Sequence, residues 1–447
     1  MDESLRPASD LSRWLGSPGA PGVARLTQGA RRSPWDLLLV CVALYIATGV
    51  GRVHQLFPIL LPLRPALLAS VLAIGLYLLQ QSGQRRIHLL RSRTTTCLLG
   101  LLVWSALSVP AALNVGVAFR SWTDFAAIVV MCLVLAGSVR GVHDVERLAL
   151  VYFGVTVVYV AVVLARFQLG AGGWRLGRLY YYDANDLATL IASAMPLGLY
   201  FVLSRRAPLP RLLAVVGLAL LVVAQIRSGS RGGFLAFLAV AAFVLLGFTT
   251  VPARARVAGL VVILAVLFTT ASDRYWTQMQ TMLRPGEDYN LTSEAGRTRI
   301  WKRGLGYMAA HPVLGVGLSN FQVAEGTISP LAKLQERGIG VRWGAAHNTF
   351  IQVGAELGVP GLVFFVGLIT SAFVSLRRVA RRAFAPDVSR LAQSLMAALV
   401  GFLVGAFFLS LAYTDMLYTL TALALALQKV ARADDARSRP LPSHVPI

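Results

Sequence analysis

The sequence predicts an all-α polytopic membrane protein with about twelve transmembrane helices and one large periplasmic loop that contains helices. Three observations lead to this prediction. The 447 residues are 56% hydrophobic and only 14% charged, and the mean hydropathy is +0.65. A soluble domain carries about 25% charged residues. The chain also contains many apolar runs of about 18 or more residues, a length typical of membrane-spanning helices.

Twelve apolar runs are the predicted spans. They lie at 35–51, 57–80, 95–112, 121–138, 147–168, 186–204, 210–226, 231–248, 256–272, 359–376, 391–411 and 414–429. The run 57–80 is the least regular, because Pro58, Pro62 and Pro65 interrupt its start. The predicted organisation is therefore a tail (1–34), nine spans (35–272), a large loop (273–358), three spans (359–429) and a second tail (430–447).

The positions of arginine and lysine predict the orientation of the chain. If the N-terminal tail is cytoplasmic, every short cytoplasmic loop is basic, and cytoplasmic segments hold more than half of the 42 basic residues. This distribution follows the positive-inside rule. We therefore predict that both termini are cytoplasmic and that the loop 273–358 is periplasmic. A loop of this length commonly carries function.

Composition also excludes several function classes. The net charge of +22 is accounted for by arginines in short loops, and no soluble basic domain is present, so we predict no nucleic-acid partner. The three cysteines, Cys41, Cys97 and Cys132, are far apart in apolar runs and form neither a CxxC site nor a disulfide framework. The sequence also lacks a Walker A loop, an HExxH motif and a clear metal-ligand cluster, and we predict no metal and no cofactor.

The turn between two predicted spans, IRSGSRGGFLAF at 226–237, contains Arg227 and Arg231 among three glycines. Glycines let backbone approach a ligand closely, and successive N–H groups form an anion-binding nest. Arg231 is expected near the start of a helix, where N–H groups also favour an anion. Interfacial arginines beside a tight turn explain the same pattern, and the residues alone leave both interpretations open.

The large loop contains a basic helix in EAGRTRIWKRGLGYMAAHPVLGVGLSNF at 294–321. Arg297, Arg299 and Arg303 fall in its first turns, and Trp301 is an aromatic residue of the type found at membrane–water boundaries. These residues are candidates for binding an anion. An interfacial helix attracted to anionic lipid is the open alternative.

The stretch GAAHNTFIQVGAELGVPG at 344–361 places a histidine at the start of a predicted helix. Asn348, Gln352 and Glu356 have i, i+4, i+8 spacing and share one helical face. Residues 358–361 are expected to end or kink this helix. His347 is usable as a base near neutral pH, and a structural hydrogen-bonding role is the alternative.

A fourth motif, WRLGRLYYYDANDLATL at 174–190, combines arginines, three tyrosines, Asp183 and Asn185. Aromatic residues with carboxylates commonly line sugar sites. Tyrosines at a membrane interface are the simpler explanation.

Four segments taken in order resemble the O-antigen ligase and O-antigen polymerase superfamily of bacterial inner-membrane glycosyltransferases. They are DANDLA at 183–188, SGSRGGFLAF at 228–237, GRTRIWKRGLGYMAAHPVLGVGLSNF at 296–321 and HNTFIQVGAELGVPGL at 347–362. The resemblance covers about 180–376. It implies transfer of a glycan from a polyprenyl-diphosphate carrier, at the periplasmic face, to a lipid A-core or to a second carrier-linked glycan. The implied mechanism is metal-independent and inverting, with membrane lipids as further partners.

The resemblance also assigns roles to individual residues. It implies that Arg231 and Arg297 bind the donor diphosphate, with Arg299 as the alternative to Arg297, and that His347 is the catalytic base. Further residues of the four motifs are possible supporting residues. These are Arg227, Asp183, Asn185, Trp301, Arg303, Asn348 and Glu356.

Three functions remain open at this level. An O-antigen ligase is modestly favoured, and a polymerase of O-antigen, capsule or exopolysaccharide is the alternative. The motifs do not separate these two well, because the donor site is shared and the acceptor loops vary. A non-enzymatic exporter of lipid-linked glycan is disfavoured, since its path through the bundle needs polar residues inside many spans. The predicted spans are largely free of charge, as expected from a cost of about 2.5–3.5 kcal/mol for an ionisable group at mid-bilayer.

Overall fold

The computed structural model describes residues 34–166, 174–176, 181–204, 208–284, 286, 288, 293, 296–337, 343–382 and 385–438. These residues form helices, turns and irregular segments, and they contain no strands. The predicted all-α polytopic class is confirmed. Residues 1–33 of the predicted N-terminal tail and residues 439–447 of the C-terminal tail lie outside the described residues, as do parts of the large loop.

Seventeen α-helices occur within the described ranges. They are α1 (Leu37–Gly49), α2 (Val53–Leu56), α3 (Pro65–Leu79), α4 (Arg93–Ser108), α5 (Val115–Ser138), α6 (Val142–Arg166), α7 (Ala184–Leu203), α8 (Pro208–Ser228), α9 (Arg231–Gly247), α10 (Ala253–Thr270), α11 (Asp273–Gln280), α12 (Arg297–Ala310), α13 (Phe321–Thr327), α14 (Ala332–Glu336), α15 (Thr349–Arg382), α16 (Pro386–Ala406) and α17 (Asp415–Ser438).

Each of the twelve predicted spans overlaps one of these helices. Among the described residues, seven helices are long and apolar enough to cross a membrane: α5, α6, α7, α8, α10, α15 and α16. Helices α1, α3 and α9 are apolar but shorter. Helix α3 begins at Pro65, later than the predicted residue 57, because the prolines before it favour turns over a continuous helix. The number of spans, their orientation and the segment boundaries remain predictions.

Small residues bring α7 and α16 into close contact, and this contact positions part of the site. A Cβ atom added at Gly401 would lie 2.7 Å from the carbonyl oxygen of Ala192, and one added at Gly405 would lie 2.3 Å from Thr189 Oγ1. Both distances are too short for a larger side chain. Close backbone approach at small residues is the usual packing of membrane helices. As a result, the start of α7 lies beside the end of α16.

Helix α15 is broken at Gly358, as the Gly-Val-Pro-Gly sequence predicts. Gly358 has φ 68° and ψ −171°, a conformation that is essentially restricted to glycine. The break frees carbonyl groups that need partners in a buried setting. The turn 311–320 and Trp104 donate to three of these carbonyls, and the freed amide of Val359 donates to the turn, so the break docks the large loop on the bundle. The hydrogen bonds are Val316 N–Ala355 O (2.9 Å), Gly317 N–Glu356 O (3.0 Å), Val359 N–Pro312 O (2.8 Å) and Trp104 Nε1–Leu357 O (3.0 Å).

Candidate functional site

The predicted tight turn before α9 is present, and it presents the amino end of that helix. Gly229 has φ 55°, a left-handed conformation that glycine adopts without strain. Ser230 caps α9, since its Oγ accepts a hydrogen bond from the Gly233 amide at 3.0 Å. Gln225 Nε2 donates to the Gly233 carbonyl at 2.7 Å. Arg231 is therefore the first residue of a capped helix, where the N–H groups and the helix dipole favour an anion.

The Arg231 guanidinium binds a carboxylate of the large loop through two nitrogens. Nη1 lies 2.7 Å from Asp288 Oδ2 and Nη2 lies 3.2 Å from Asp288 Oδ1. Nη1 also donates to Thr281 Oγ1 at 3.0 Å. The Arg231 and Asp288 side chains are only 17% and 14% exposed. A guanidinium makes the same paired contact with phosphate oxygens.

Arg297 and Arg299 point to different surroundings, although they are two residues apart. Arg297 is the first residue of α12 and lines a small pocket, whereas Arg299 is exposed. The pocket is formed by residues from four parts of the chain. The other lining residues are Asn185, Thr189, Ser230, Gly232, Gly233, Gly405, Phe408 and Leu409. The structure thus brings Arg297, and not Arg299, to the turn that precedes α9.

Arg175 also belongs to this cluster, although the sequence did not identify it as a site residue. Its Nε donates to the Ser228 carbonyl at 2.8 Å and its Nη2 to Asn185 Oδ1 at 3.3 Å. The motif 174–190 includes this arginine. Nothing in the local sequence indicates that its side chain contacts Ser228, 53 residues later. Burial lowers the pKa of the Arg175 guanidinium, and the neighbouring positive charge of Arg231 adds to this effect.

Among the residues that the structure describes, three arginines and two carboxylates share one region: Arg175, Arg231, Arg297, Asp183 and Asp288. Burial lowers the pKa of Arg297, and repulsion from Arg231 lowers it further, while Asp288 and Asp183 act in the opposite direction. Arginine stays protonated in this setting, because a guanidinium is not deprotonated in proteins. The site consequently holds excess positive charge in a partly buried place. An anionic ligand would relieve it.

Asp183 and Asn185 have different roles. Asp183 caps α7, because its Oδ1 accepts hydrogen bonds from the amides of Asn185 at 2.7 Å and Asp186 at 2.9 Å. The carboxylate is thus engaged in holding the helix start. Asn185 lines the pocket and accepts the hydrogen bond from Arg175. Of Asp183 and Asn185, the two polar residues predicted from the motif 174–190, only Asn185 lines the pocket.

The backbone of His347 is held in a strained conformation by contacts on both sides. Its φ is 47°, the left-handed region, which is rare for residues other than glycine. The His347 amide donates to Ser410 Oγ at 2.9 Å, and its carbonyl accepts from Trp301 Nε1 at 3.3 Å. Trp301 also packs edge-on against Phe407 at 5.7 Å. Strain of this kind is concentrated at functional sites and needs surrounding structure to maintain it.

Asn348 fixes the helix that follows. Its Oδ1 accepts hydrogen bonds from the amides of Phe350 at 2.9 Å and Ile351 at 3.0 Å, which is the geometry of a helix cap. Thr349 Oγ1 donates to the Leu409 carbonyl at 2.9 Å. Leu409 also lines the Arg297 pocket. The segment 409–410 thus connects the His347 backbone to the arginine cluster.

Arg303 and Glu356 are both buried in structural contacts. Arg303 forms an ion pair with Glu325, with Nη2 and Oε2 2.6 Å apart, and Tyr307 OH donates to the same carboxylate at 2.8 Å. Glu356 is 2% exposed, and its Oε1 accepts from the Phe321 amide at 3.4 Å. Arg303 therefore joins α12 to α13 within the large loop, whereas Glu356 joins α13 to α15.

Arg227 is exposed at the end of α8. Its backbone carbonyl accepts a hydrogen bond from the Leu176 amide at 2.8 Å. This bond ties segment 174–176 to the turn. Its side chain is not part of the pocket lining.

An apolar cavity of about 370 Å³ runs between α7, α8, α9 and α10. Its lining is apolar except for Arg256, which lies near the start of α10. Each of the four helices contributes side chains to the wall, for example Leu199 from α7, Val222 from α8, Phe237 from α9 and Ile263 from α10. Helix α9 lines this cavity from Phe237 to Leu245 and begins at Arg231, about 9 Å further along its axis, so one helix connects the cavity to the arginine cluster.

Comparison with known proteins gives two matches. The model of a family described as O-antigen ligase matches residues 216–366, which include Arg231, Arg297 and His347. A 96-residue segment is 35% identical to the exopolysaccharide production protein ExoQ of Rhizobium meliloti (strain 1021). That segment spans 21% of this chain and 21% of the relative. These matches confirm the resemblance predicted from the motifs, and the chain is similar to the O-antigen ligase and O-antigen polymerase superfamily of polysaccharide-producing membrane proteins.

Proposed function

We propose that the protein is a glycosyltransferase that moves a glycan from a polyprenyl-diphosphate carrier to a lipid A-core acceptor, at the periplasmic face of the bacterial inner membrane. One observation carries the proposal. Arg231 and Arg297 each begin a helix beside one pocket, and the strained His347 is tied to that pocket through residues 409–410.

The arginine cluster supports a diphosphate ligand. The Asp288 carboxylate accepts two hydrogen bonds from the Arg231 guanidinium, in the geometry that a phosphate would take. Arg297 lies close enough to Arg231 and Asp288 to interact with their charges. A hydrogen bond to a charged group contributes about 1.5–3 kcal/mol. Two or three such bonds would hold a diphosphate firmly.

The apolar cavity supports a lipid-linked donor. Its walls are formed by α7, α8, α9 and α10, and a single helix joins it to Arg231. An isoprenoid chain that enters this cavity from the amino end of α9 would leave its diphosphate beside Arg231. Burial of its apolar surface would add roughly 25 cal/mol for each Å² removed from water.

The proposed reaction is a direct displacement. The oxygen of an acceptor hydroxyl forms a bond to the anomeric carbon of the donor sugar, and the bond from that carbon to the diphosphate oxygen breaks. The electron pair of the broken bond remains on the diphosphate, where Arg231 and Arg297 stabilise the growing charge. The hydroxyl proton passes to the imidazole of His347, which acts as general base.

The test compares two histidines of the same loop. The full-length protein, reconstituted in proteoliposomes, is supplied with carrier-linked glycan and lipid A-core, and transfer is followed by gel. We expect His347→Ala to lower the rate by about 10²–10⁴-fold, the usual contribution of a general base. His311→Ala is the matched control, because His311 is exposed at the end of α12. Equal rates in the two variants would refute the role of His347.

A polymerase of O-antigen, capsule or exopolysaccharide is the second candidate, favoured by the match to an exopolysaccharide production protein. The donor chemistry is the same, and the acceptor is a second carrier-linked glycan. A deletion strain separates the candidates. Long polymer on the carrier with bare core supports a ligase, and core capped by one repeat supports an O-antigen polymerase. An unchanged lipopolysaccharide ladder with loss of secreted polysaccharide supports an exopolysaccharide polymerase.

A further inference from the structure

A second polar cluster lies outside the arginine pocket, between the end of α1 and the starts of α7 and α17. Arg52 Nη2 lies 3.2 Å from Asp415 Oδ2, and Tyr45 OH donates to Asp415 Oδ1 at 2.8 Å. The Arg52 guanidinium also sits 3.8 Å from the centre of the Tyr181 ring. Tyr182 OH donates to the Val50 carbonyl at 2.8 Å, which ties the segment before α7 to the end of α1.

This cluster differs from the diphosphate site in its charge. Arg52 is balanced by Asp415, whereas Arg231 and Arg297 share their region with a third arginine. A balanced pair does not attract a strongly anionic group. It presents both donors and acceptors, which suits an uncharged ligand with many hydroxyl groups.

Two buried nitrogen atoms of the cluster have no hydrogen-bond partner within the described part of the chain. They are Arg52 Nε and His54 Nδ1. Arg52 also has φ 47°, so its backbone is strained in the same way as that of His347. A buried polar atom without a partner costs about 1–3 kcal/mol, and a ligand that satisfies it would recover this energy.

His54 and Tyr181 provide two further groups that carbohydrate sites use, a neutral imidazole and an exposed aromatic ring. Burial lowers the pKa of His54, and the charge of Arg52 lowers it further, so the imidazole is neutral near pH 7 and both donates and accepts. Tyr181 is 42% exposed. Its ring and hydroxyl are therefore accessible to a bound molecule, as expected for an aromatic residue with an apolar body and a polar tip.

Two short segments link this cluster to the proposed catalytic site. Tyr181 is four residues before Asn185, which lines the Arg297 pocket. Asp415 is five residues after Ser410, which binds the His347 amide. Consecutive Cα atoms are 3.8 Å apart, so these links are at most about 15 Å and about 19 Å long. The cluster is thus within reach of a glycan whose end lies at His347.

We propose that Arg52, His54 and Tyr181 form a subsite for the uncharged, hydroxyl-rich glycan of the acceptor. The assignment to the acceptor rests on the proposed function. The donor diphosphate binds at Arg231 and Arg297, and the acceptor glycan extends from His347 toward Tyr181. Helices α1 and α2, which precede the segment matched by the ligase family model, would thereby contribute to acceptor recognition.

Binding of two separate probes to the full-length protein in nanodiscs tests this assignment. The first probe is the core oligosaccharide released by mild acid from the lipid A-core of the source bacterium and then dephosphorylated, so that it represents the uncharged glycan of the acceptor. The second is inorganic pyrophosphate. We expect Tyr181→Ala to weaken oligosaccharide binding about tenfold, as expected for loss of one aromatic contact, with pyrophosphate binding unchanged. Arg297→Ala should show the reverse. Tyr181→Phe, which keeps the ring, should bind the oligosaccharide nearly as the wild type does.

The inference is overturned if the wild type does not bind the oligosaccharide, or if Tyr181→Ala binds it as well as the wild type. It is also overturned if the only effect of Tyr181→Ala is a lower thermal stability of the protein, or weaker binding of anionic phospholipid by the protein. Failure of the proposed transfer would look different. A wild type that binds the oligosaccharide through Tyr181, yet neither binds pyrophosphate nor transfers glycan, would keep this subsite as a carbohydrate site and refute the proposed transfer.

Discussion

Replacement of Arg297 is the sharpest test of the diphosphate site, because Arg299 offers a control two residues away on the same helix. Both arginines precede Trp301 in one basic stretch. Arg297 lines the pocket next to Ser230, and Arg299 is exposed. If the pocket holds the diphosphate, Arg297→Ala removes a preorganised positive group from the place where the leaving group gains charge.

The expected magnitudes differ by more than tenfold. Removal of one donor that stabilises developing charge costs about 2.7–4 kcal/mol, or about 10²–10³ in kcat. An exposed charge contributes about 0–1 kcal/mol, which is at most about fivefold in rate. We therefore expect a large loss for Arg297→Ala and a small one for Arg299→Ala. Arg297→Lys should lie between wild type and Arg297→Ala, since it keeps the charge and loses the planar two-point contact.

Stability should respond in the opposite direction. Burial and repulsion from Arg231 lower the pKa of Arg297, so its charge is unfavourable in the folded protein without ligand. Arg297→Ala removes that penalty and should leave the thermal unfolding temperature unchanged or raised. The assays are initial transfer rates in proteoliposomes and unfolding followed by tryptophan fluorescence. Equal loss of rate in Arg299→Ala and Arg297→Ala would refute the reasoning.

Three further predictions concern the large loop. Arg303→Ala leaves the Glu325 carboxylate buried without its cationic partner, so we expect a loss of about 3–5 kcal/mol in unfolding free energy, measured by denaturation. The double variant Arg303→Ala, Glu325→Ala should lose less stability. Gly358→Ala places alanine in a conformation that only glycine adopts easily, at a cost of about 1–3 kcal/mol, and should lower both the stability of the protein and the rate of transfer. Gly306→Ala, where a Cβ meets nothing within 4 Å, should retain both. Asp288→Asn removes the charged partner of Arg231 and should tighten pyrophosphate binding about tenfold in calorimetry, whereas weaker binding would contradict competition for that arginine.

Local patterns in the sequence determined the helical class, the position of each apolar helix and the break at Gly358. Apolar runs, turn residues and helix caps act over a few neighbouring positions, so they can be read directly from the chain. The order of the four motifs was also sufficient for the resemblance to O-antigen ligases and polymerases.

Only the tertiary structure decided which side chains meet. Arg231 reaches Asp288 across 57 residues, and Arg52 reaches Asp415 across 363. The pairing of Arg303 with Glu325 likewise depends on how α12 packs against α13. Local periodicity assigns a residue to a helical face but does not say which neighbour that face will contact. The packing of α7 on α16 and the docking of the loop at the α15 break make that choice. Small residues allow close approach at the first place, and freed carbonyls need hydrogen-bond donors at the second.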